Sequence, residues 1–231
     1  MIDYPAKDRY TANDLVAIVA LLRDPENGCP WDKAQTHASI RMNFLEEAYE
    51  AVDAIDLNDP ALLREELGDV LMQVAFHAVI ESESGRFGWG DICDEGCRKL
   101  IGRHPHIFGP AEAAGGINDW DSIKNKEKGR LTLADDLASV PRAMPALMRA
   151  AKLQKRAQRH GVAPPAADAR TLGEAAAALA AAPPQSEEAG RALGALLTRA
   201  VALARQKGLD PEQALMQAND AFAQSAAEPN A

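Results

Sequence analysis

Two short stretches, Leu45-Glu46-Glu47-Ala48-Tyr49-Glu50 and Glu66-Leu67-Gly68-Asp69, decide the fold of this chain. Side chains three or four residues apart on a helix are neighbours, about 5–6 Å apart at Cβ, so each stretch gathers its acids on one side. The turn-like segment 56–60, Asp-Leu-Asn-Asp-Pro, lies between two helical patterns and predicts an antiparallel helix hairpin that brings the two stretches together. Acids gathered in this way repel one another, so the pattern indicates a bound cation.

An acidic run on a helix is usually a solvated face, and the first stretch alone fits that interpretation. The second helix differs, because apolar residues surround it almost completely; they include Leu62, Leu67, Val70, Leu71, Met72, Val74, Phe76 and Ala78. A helix that is apolar all round is normally buried, and unpaired carboxylates on it are costly or stay protonated. A bound cation removes that conflict, so the pattern favours a metal site.

The ligand chemistry indicates which metal to expect. An all-oxygen set suits Mg²⁺, Mn²⁺ or Ca²⁺, whereas zinc sites normally include histidine or cysteine. We expect Mg²⁺, with Mn²⁺ as an alternative. Di-iron carboxylate bundles use Glu-x-x-His pairs, and no histidine of this chain follows a glutamate at that spacing. A zinc site at Cys93 and Cys97 is a weaker interpretation, because two cysteines one helical turn apart more often serve simple packing.

Charge and hydropathy exclude several classes of protein. The 231 residues include 34 acidic and 25 basic side chains, a formal net charge of −9, which argues against a nucleic-acid or acidic-membrane partner. The apolar run from Leu15 to Leu22 is too short to cross a bilayer, and Met1 to Tyr10 contains no apolar signal region. We therefore expect a cytoplasmic protein that acts on a small molecule.

The periodicity of the apolar residues predicts an all-α protein without strands. Breaks rich in proline and glycine separate the predicted helical segments, which are 11–23, 37–56, 60–83, 90–102, 117–128, 142–160, 171–181, 187–207 and 211–224. The composition changes near residue 165, after which alanine dominates. We expect two domains, at 1–135 and 136–231.

The second half contains a degenerate copy of the hairpin. Leu45-Glu46-Glu47-Ala48 aligns with Leu172-Gly173-Glu174-Ala175 at a shift of 127, and Leu67-Gly68-Asp69-Val70 aligns with Leu193-Gly194-Ala195-Leu196 at a shift of 126. The copy has lost its acids, because Gly173, Ala177, Ala192 and Ala195 stand where the first hairpin has Glu46, Glu50, Glu66 and Asp69. Loss of the acids as a set indicates that they act as one unit.

Basic and aromatic side chains outside the hairpin are candidate substrate ligands. They are Trp31, Lys33, Lys99, Arg103, Trp120 and Lys124. Trp31 and Lys33 lie in a Gly/Pro loop that could close over a ligand. Lys99 and Arg103 share one helical face, and the aromatic ring of Trp120 is one turn away from the cation of Lys124. Such cations suit phosphate oxygens, and tryptophan suits a flat base. Each also has a structural interpretation, as a basic helix end or a ring that fills the core.

Taken in order, these motifs closely resemble those of the MazG family of nucleoside triphosphate pyrophosphohydrolases. The resemblance rests on the run 22–33, Leu-Arg-Asp-Pro-Glu-Asn-Gly-Cys-Pro-Trp-Asp-Lys, on the two acid stretches, on Arg103-His-Pro-His-Ile-Phe-Gly109 and on Trp120-x-x-x-Lys124-x-x-x-Lys128. It covers residues 11–130 strongly and the second half faintly.

The resemblance implies an all-α, Mg²⁺-dependent enzyme, usually oligomeric, that hydrolyses a nucleoside triphosphate to the monophosphate and pyrophosphate. By its motif the metal ligands would be Glu47, Glu50, Glu66 and Asp69, and Glu46 would hold a second metal or activate water. Phosphate oxygens would contact Lys99, Arg103 and Lys124, the nucleoside would lie near Trp120, and Trp31 and Lys33 would complete the substrate site. We expect a homodimer.

One departure from the family bears on function. In the two-domain members the C-terminal copy keeps its acids and is the active one, whereas here only Glu174 remains. We therefore expect activity in the N-terminal half. The alternative hypothesis is a non-catalytic helical module that binds a nucleotide or a protein partner.

Overall fold

The structure is a computed structural model that describes residues 4, 6–109, 124, 125, 127–130 and 132–227. It forms two compact units, residues 1–116 and 117–231. Within the described ranges every regular element is a helix, so the predicted all-α fold is confirmed. The helices are α1 (Ala12–Leu22), α2 (Pro30–Ala34), α3 (Arg41–Asp56), α4 (Pro60–Glu83), α5 (Trp89–Arg103), α6 (Pro105–Phe108), α7 (Leu133–Ala138), α8 (Ala146–Arg159), α9 (Ala169–Ala181), α10 (Glu187–Gln206) and α11 (Pro211–Ala227). Among these described helices, none is long and apolar enough to traverse a lipid bilayer.

The observed helices differ from the predicted ones mainly in their ends. The short helices α2, α6 and α7 were not predicted, because each is too brief to show an apolar period. The helix predicted at 37–56 begins at Arg41, since Thr36 and Ser39 close a turn in which each backbone N–H donates to the other's hydroxyl. Most of the segment predicted at 117–128 lies outside the described residues.

The turn between α3 and α4 produces the predicted hairpin, in which these two helices pack against each other. Asn58 has a φ of 53°, a left-handed conformation that asparagine tolerates better than most residues. Asp59 then caps α4, because its side chain accepts hydrogen bonds from the backbone N–H groups of Ala61 and Leu62. Pro60 follows at the first helical position, where a missing N–H costs nothing.

The core of the first unit lies where α1 packs on the C-terminal half of α4. Its buried side chains are Val19, Ile40, Ala75, Phe76 and Val79. The buried Arg23 guanidinium at the end of α1 donates to both carboxylate oxygens of Glu83, at 2.7 and 2.8 Å, and to the carbonyl oxygens of Asp32 and Gln35. This arginine therefore joins α1, α2 and α4 at one end of the unit.

The expectation that α4 is buried all round is wrong for its N-terminal half. Leu67 is 52% exposed and Leu71 is 38% exposed, and on α3 the exposed fraction of Ile55 is 58%. Glu66 and Asp69 are consequently half-buried rather than enclosed. Packing among the described residues of the first unit therefore does not explain the apolar pattern of this half of the helix.

The second unit contains a helix hairpin of its own, in which α9 packs against α10. Its turn places Gln185 at a φ of 58°, followed by Ser186, whose hydroxyl accepts from the Ala189 N–H and caps α10. Asn58 and Gln185 are 127 residues apart, the same shift that relates the two sequences. The geometry of the turn supports a duplicated hairpin, which stays a prediction.

A buried carboxylate holds α7 to α8 in the second unit. Asp136 is fully buried, and its carboxylate oxygens lie 3.1 Å from Arg156, 3.3 Å from Arg159 and 3.2 Å from His160. Arg156 also donates to the Asp136 carbonyl oxygen at 2.6 Å. The charge of Asp136 is therefore paired inside the unit.

Candidate metal and nucleotide site

Three of the predicted acids meet across the first hairpin. Glu47 extends from α3, and Glu66 and Asp69 extend from adjacent turns of α4; each contributes a carboxylate oxygen, and these three oxygens lie within 4.8 Å of one another. All three residues are half-buried. Glu66 and Asp69 share a face because three residues separate them on the helix, and the hairpin turn brings Glu47 opposite to them.

The acids repel one another in the absence of a cation. Partial burial, and then the charges of Asp69 and Glu50, raise the pKa of Glu47 above its ordinary value. Partial burial, followed by the charge of Glu50, likewise raises the pKa of Glu66. Glu50 therefore acts on both carboxylates, although its own side chain is exposed. A divalent cation would relieve this repulsion, because it favours the ionised form of every carboxylate around it.

The donor set suits a hard cation. Every charged ligand in the cluster is a carboxylate, the chemistry that Mg²⁺, Mn²⁺ and Ca²⁺ prefer. One further polar group lies beside the acids: the Gln73 side chain, one turn after Asp69 on α4, lowers the pKa of Glu47 against the larger effects that raise it. The cluster could therefore bind a divalent metal.

The predicted catalytic residue Glu46 and two of the predicted phosphate ligands, Lys99 and Arg103, lie on two helices of this unit. Glu46 is exposed on α3 beside Glu47. Lys99 lies on α5, a helix that packs on α4, and forms an ion pair with Glu95 one turn earlier. Arg103 is half-buried at the last position of α5.

Trp31 and Lys33 lie away from the acids of their own unit. Trp31 is 60% exposed on α2, and the Lys33 ammonium donates to the Pro25 carbonyl oxygen at 3.1 Å. Lys33 lines a cavity of about 500 Å³ together with Val79, near the C-terminal end of α4. Val79 lies ten residues beyond Asp69, about 15 Å along the helix at 1.5 Å per residue. The structure does not bring these two candidates to the acid cluster of the same unit.

The last two candidates are Trp120 and Lys124. Trp120 lies outside the described residues. Lys124 is half-buried and belongs to the second unit. Their roles as nucleoside and phosphate ligands stay predictions.

A row of polar side chains along α4 was not predicted from the sequence. Asp69, Gln73, His77 and Glu81 follow one another at intervals of four residues, so they share one face. Beyond Gln73, the Nδ1 atoms of His77 and His37 lie 2.6 Å apart, and His37 Nε2 lies 2.6 Å from a Glu81 carboxylate oxygen. The spacing of four was the signal that would have revealed the row.

Comparisons with known proteins identify the family of this chain. A model of the MazG nucleotide pyrophosphohydrolase domain matches residues 35–108, which contain the five acids of the two acid stretches together with Lys99 and Arg103.

Curated relatives extend the similarity over most of the chain. The nucleoside triphosphate pyrophosphohydrolase of Escherichia coli strain K12 is 42% identical over 226 residues, which cover 90% of this chain and 82% of that protein. The nucleoside triphosphate pyrophosphohydrolase/pyrophosphatase MazG of Thermotoga maritima is 38% identical over 213 residues, 90% of this chain and 81% of that protein. A nucleoside triphosphate pyrophosphohydrolase of Mycobacterium tuberculosis is 37% identical over 161 residues, 68% of this chain and 49% of that protein. This chain belongs to the MazG nucleotide pyrophosphohydrolase family.

Proposed function

We propose that this protein hydrolyses a nucleoside triphosphate to the monophosphate and pyrophosphate at the hairpin of its first unit. The observation that carries the proposal is the meeting of Glu47, Glu66 and Asp69, whose carboxylate oxygens lie within 4.8 Å of one another. The printed names of the relatives support the reaction, and the family model covers this hairpin.

The proposed cation is Mg²⁺, which Mn²⁺ can replace, held by Glu47, Glu50, Glu66 and Asp69. When bound, such a cation neutralises charge on the phosphate chain and lowers the pKa of water. Two observations support this ligand set: the carboxylate oxygens of Glu47, Glu66 and Asp69 converge, and the charge of Glu50 acts on both Glu47 and Glu66.

The chain's own side chains position the substrate and handle the proton. Glu46, exposed beside the cluster, is the proposed base that takes a proton from the attacking water. Lys99 and Arg103 are the proposed ligands of phosphate oxygens, for which Lys99 would exchange its ion pair with Glu95. Roles for Trp31, Lys33, Trp120 and Lys124 rest on the resemblance of the motifs.

The reaction is proposed for the first unit and not for the second. At the matching positions of the second hairpin, Ala192 and Ala195 replace Glu66 and Asp69, and they line a small cavity of about 250 Å³. Glu174 remains, but its partner is Arg170, at 2.6 Å. One carboxylate that is already paired makes a poor metal site.

A homodimer is part of the proposal. The exposed leucines of α4, Leu67 and Leu71, and the exposed Val52 and Ile55 of α3 form two apolar stripes on the hairpin that carries the site. Burial of such stripes against a second copy would release water from apolar surface. Sedimentation equilibrium of the wild-type protein and of Leu67→Lys tests this point, because the charged variant should be monomeric.

Product analysis tests the reaction. The purified full-length protein is incubated with Mg²⁺ and a panel of canonical and deoxy nucleoside triphosphates, and pyrophosphate and orthophosphate are measured separately. We expect pyrophosphate from at least one nucleotide, lost in Asp69→Asn and retained in the control Asp220→Asn, an exposed position on α11. Metal-dependent nucleotide binding without product would contradict the proposal and favour the binding module.

A further inference from the structure

Gln73 has a position in the site that the proposed function does not explain. It lies on α4 one turn after Asp69, and only 6% of the residue is exposed. Its side chain lies close enough to the Glu47 carboxylate to lower the pKa of that group, against the larger effects that raise it. A group that lowers a carboxyl pKa favours the ionised form, which accepts hydrogen bonds, so the amide nitrogen of Gln73 is the end that faces Glu47.

The amide oxygen of Gln73 is buried, and within the described part of the chain it has no hydrogen-bond partner. A buried polar atom of this kind is uncommon in folded proteins, and leaving it unpaired costs free energy. The ionised carboxylates beside it cannot donate a hydrogen bond. A hydrated divalent cation held by the acids would carry water molecules that can donate to this oxygen.

We propose that Gln73 is a positioning residue of the metal site. Its amide nitrogen holds the Glu47 carboxylate in place, and its amide oxygen accepts a hydrogen bond from a water that enters with the cation. The inference rests on the proposed function, because it assumes that the acid cluster binds a metal.

A purely structural role for Gln73 leads to different expectations. Methionine has nearly the same shape as glutamine and carries no unpaired oxygen. If Gln73 serves the metal, Gln73→Met should weaken metal binding and change the stability of the metal-free protein little, because the substitution removes both the unpaired oxygen and the favourable contact with Glu47. If Gln73 serves only the fold, the same substitution should leave the affinity for metal unchanged.

The second unit offers a matched control. Gln154 on α8 is 7% exposed, but both ends of its amide are paired: the nitrogen donates to the Thr198 carbonyl oxygen at 2.9 Å, and the oxygen accepts from Arg205 at 3.3 Å. Gln154→Met should therefore lower stability without any effect on metal binding.

The experiment measures Mn²⁺ binding by calorimetry, without nucleotide, and thermal unfolding in EDTA for the full-length wild type and both variants. We expect Gln73→Met to weaken Mn²⁺ binding by about 10- to 100-fold, the usual cost of losing a residue that supports a metal ligand, with a smaller change in the unfolding midpoint than Gln154→Met shows. Gln154→Met should bind Mn²⁺ like the wild type and unfold at a lower temperature. Unchanged Mn²⁺ affinity in Gln73→Met would overturn the inference.

A measurement on the wild-type protein does not depend on how the variant folds. With ¹⁵N-labelled glutamine, Mg²⁺ should shift the side-chain amide signal of Gln73 and leave that of Gln154 in place. An unshifted Gln73 signal at a Mg²⁺ concentration that saturates binding would also overturn the inference. Failure of the wild type to bind Mn²⁺ at all would instead contradict the metal site on which the proposed function depends.

Discussion

Replacing Glu47 by glutamine should make the metal-free protein more stable. The pKa of Glu47 is raised in the folded state, first by partial burial and then by the charges of Asp69 and Glu50. A raised carboxyl pKa means that ionisation opposes folding, so the cost is absent below the ordinary pKa of 4.5 and is fully present above the raised folded pKa. Glutamine keeps the shape and removes the charge.

The magnitude follows from the separation of the charges. Carboxylate oxygens of Glu47 and Asp69 lie within 4.8 Å of each other, and two unit charges at that distance repel by about 0.9 kcal/mol at the dielectric constant of water. Partial burial strengthens the repulsion and salt screens it, so we expect a gain of about 1 kcal/mol in the free energy of unfolding. In a chain of 231 residues that gain raises the unfolding midpoint by about 2–4 °C.

The assay is thermal unfolding followed by circular dichroism, in EDTA at pH 7 and again at pH 4. The control is Glu46→Gln, an exposed neighbour on the same helix, which should change stability by less than about 0.5 kcal/mol. The advantage of Glu47→Gln should be present at pH 7 and shrink at pH 4, where the carboxylates become protonated. A variant that is less stable than the wild type in EDTA at pH 7 would refute the repulsion argument.

Three further predictions concern metal, acid and a buried ion pair. Mg²⁺ at 100 times its dissociation constant should stabilise the wild type by about 2.7 kcal/mol and leave Asp69→Asn unchanged in a thermal-shift titration. Arg86 and His37 hold the pKa of Glu81 at about 2, below the ordinary 4.5. This carboxylate therefore contributes stability that is lost as the pH falls from about 4.5 towards 2. The variant Arg86→Gln should shift acid unfolding to higher pH, as measured by circular dichroism. Asp136→Asn leaves the buried Arg156 without its counter-charge and should cost about 3 kcal/mol in urea unfolding; a loss as small as that of an exposed carboxylate would contradict the pairing.

The helices and their hairpin could be predicted because local rules determine them. Apolar residues at helical spacing mark α3, α4 and α10, and Asp59-Pro60 is a start signal for α4 within its own turn. The short helices α2, α6 and α7 could not be predicted, because each has fewer residues than two helical turns. The exposure of Leu67 could not be predicted either, since an apolar residue looks the same in sequence whether it packs within one chain or against another molecule.

The candidate site was predictable to a different extent at each residue. Glu66 and Asp69 share a face by their spacing alone. A shift of 127 residues relates the turn residue Asn58 to Gln185 in the turn of the second hairpin. Lys33 was grouped with the acids by its motif, yet it lines a cavity near the other end of α4. Lys33 and the acids belong to the same set of sequence motifs, but the length of α4 separates them in the structure.

The helical periods, the hairpin turn and the acids that share one face could be predicted from the sequence alone, because these depend on residues within a few positions of one another. The structure was needed to show which acids of the two stretches meet, Glu47 with Glu66 and Asp69, and that the Gln73 oxygen is buried without a partner among the described residues. Both observations depend on how α3 is rotated against α4. Side-chain packing across the hairpin determines this rotation, and local sequence patterns do not predict it.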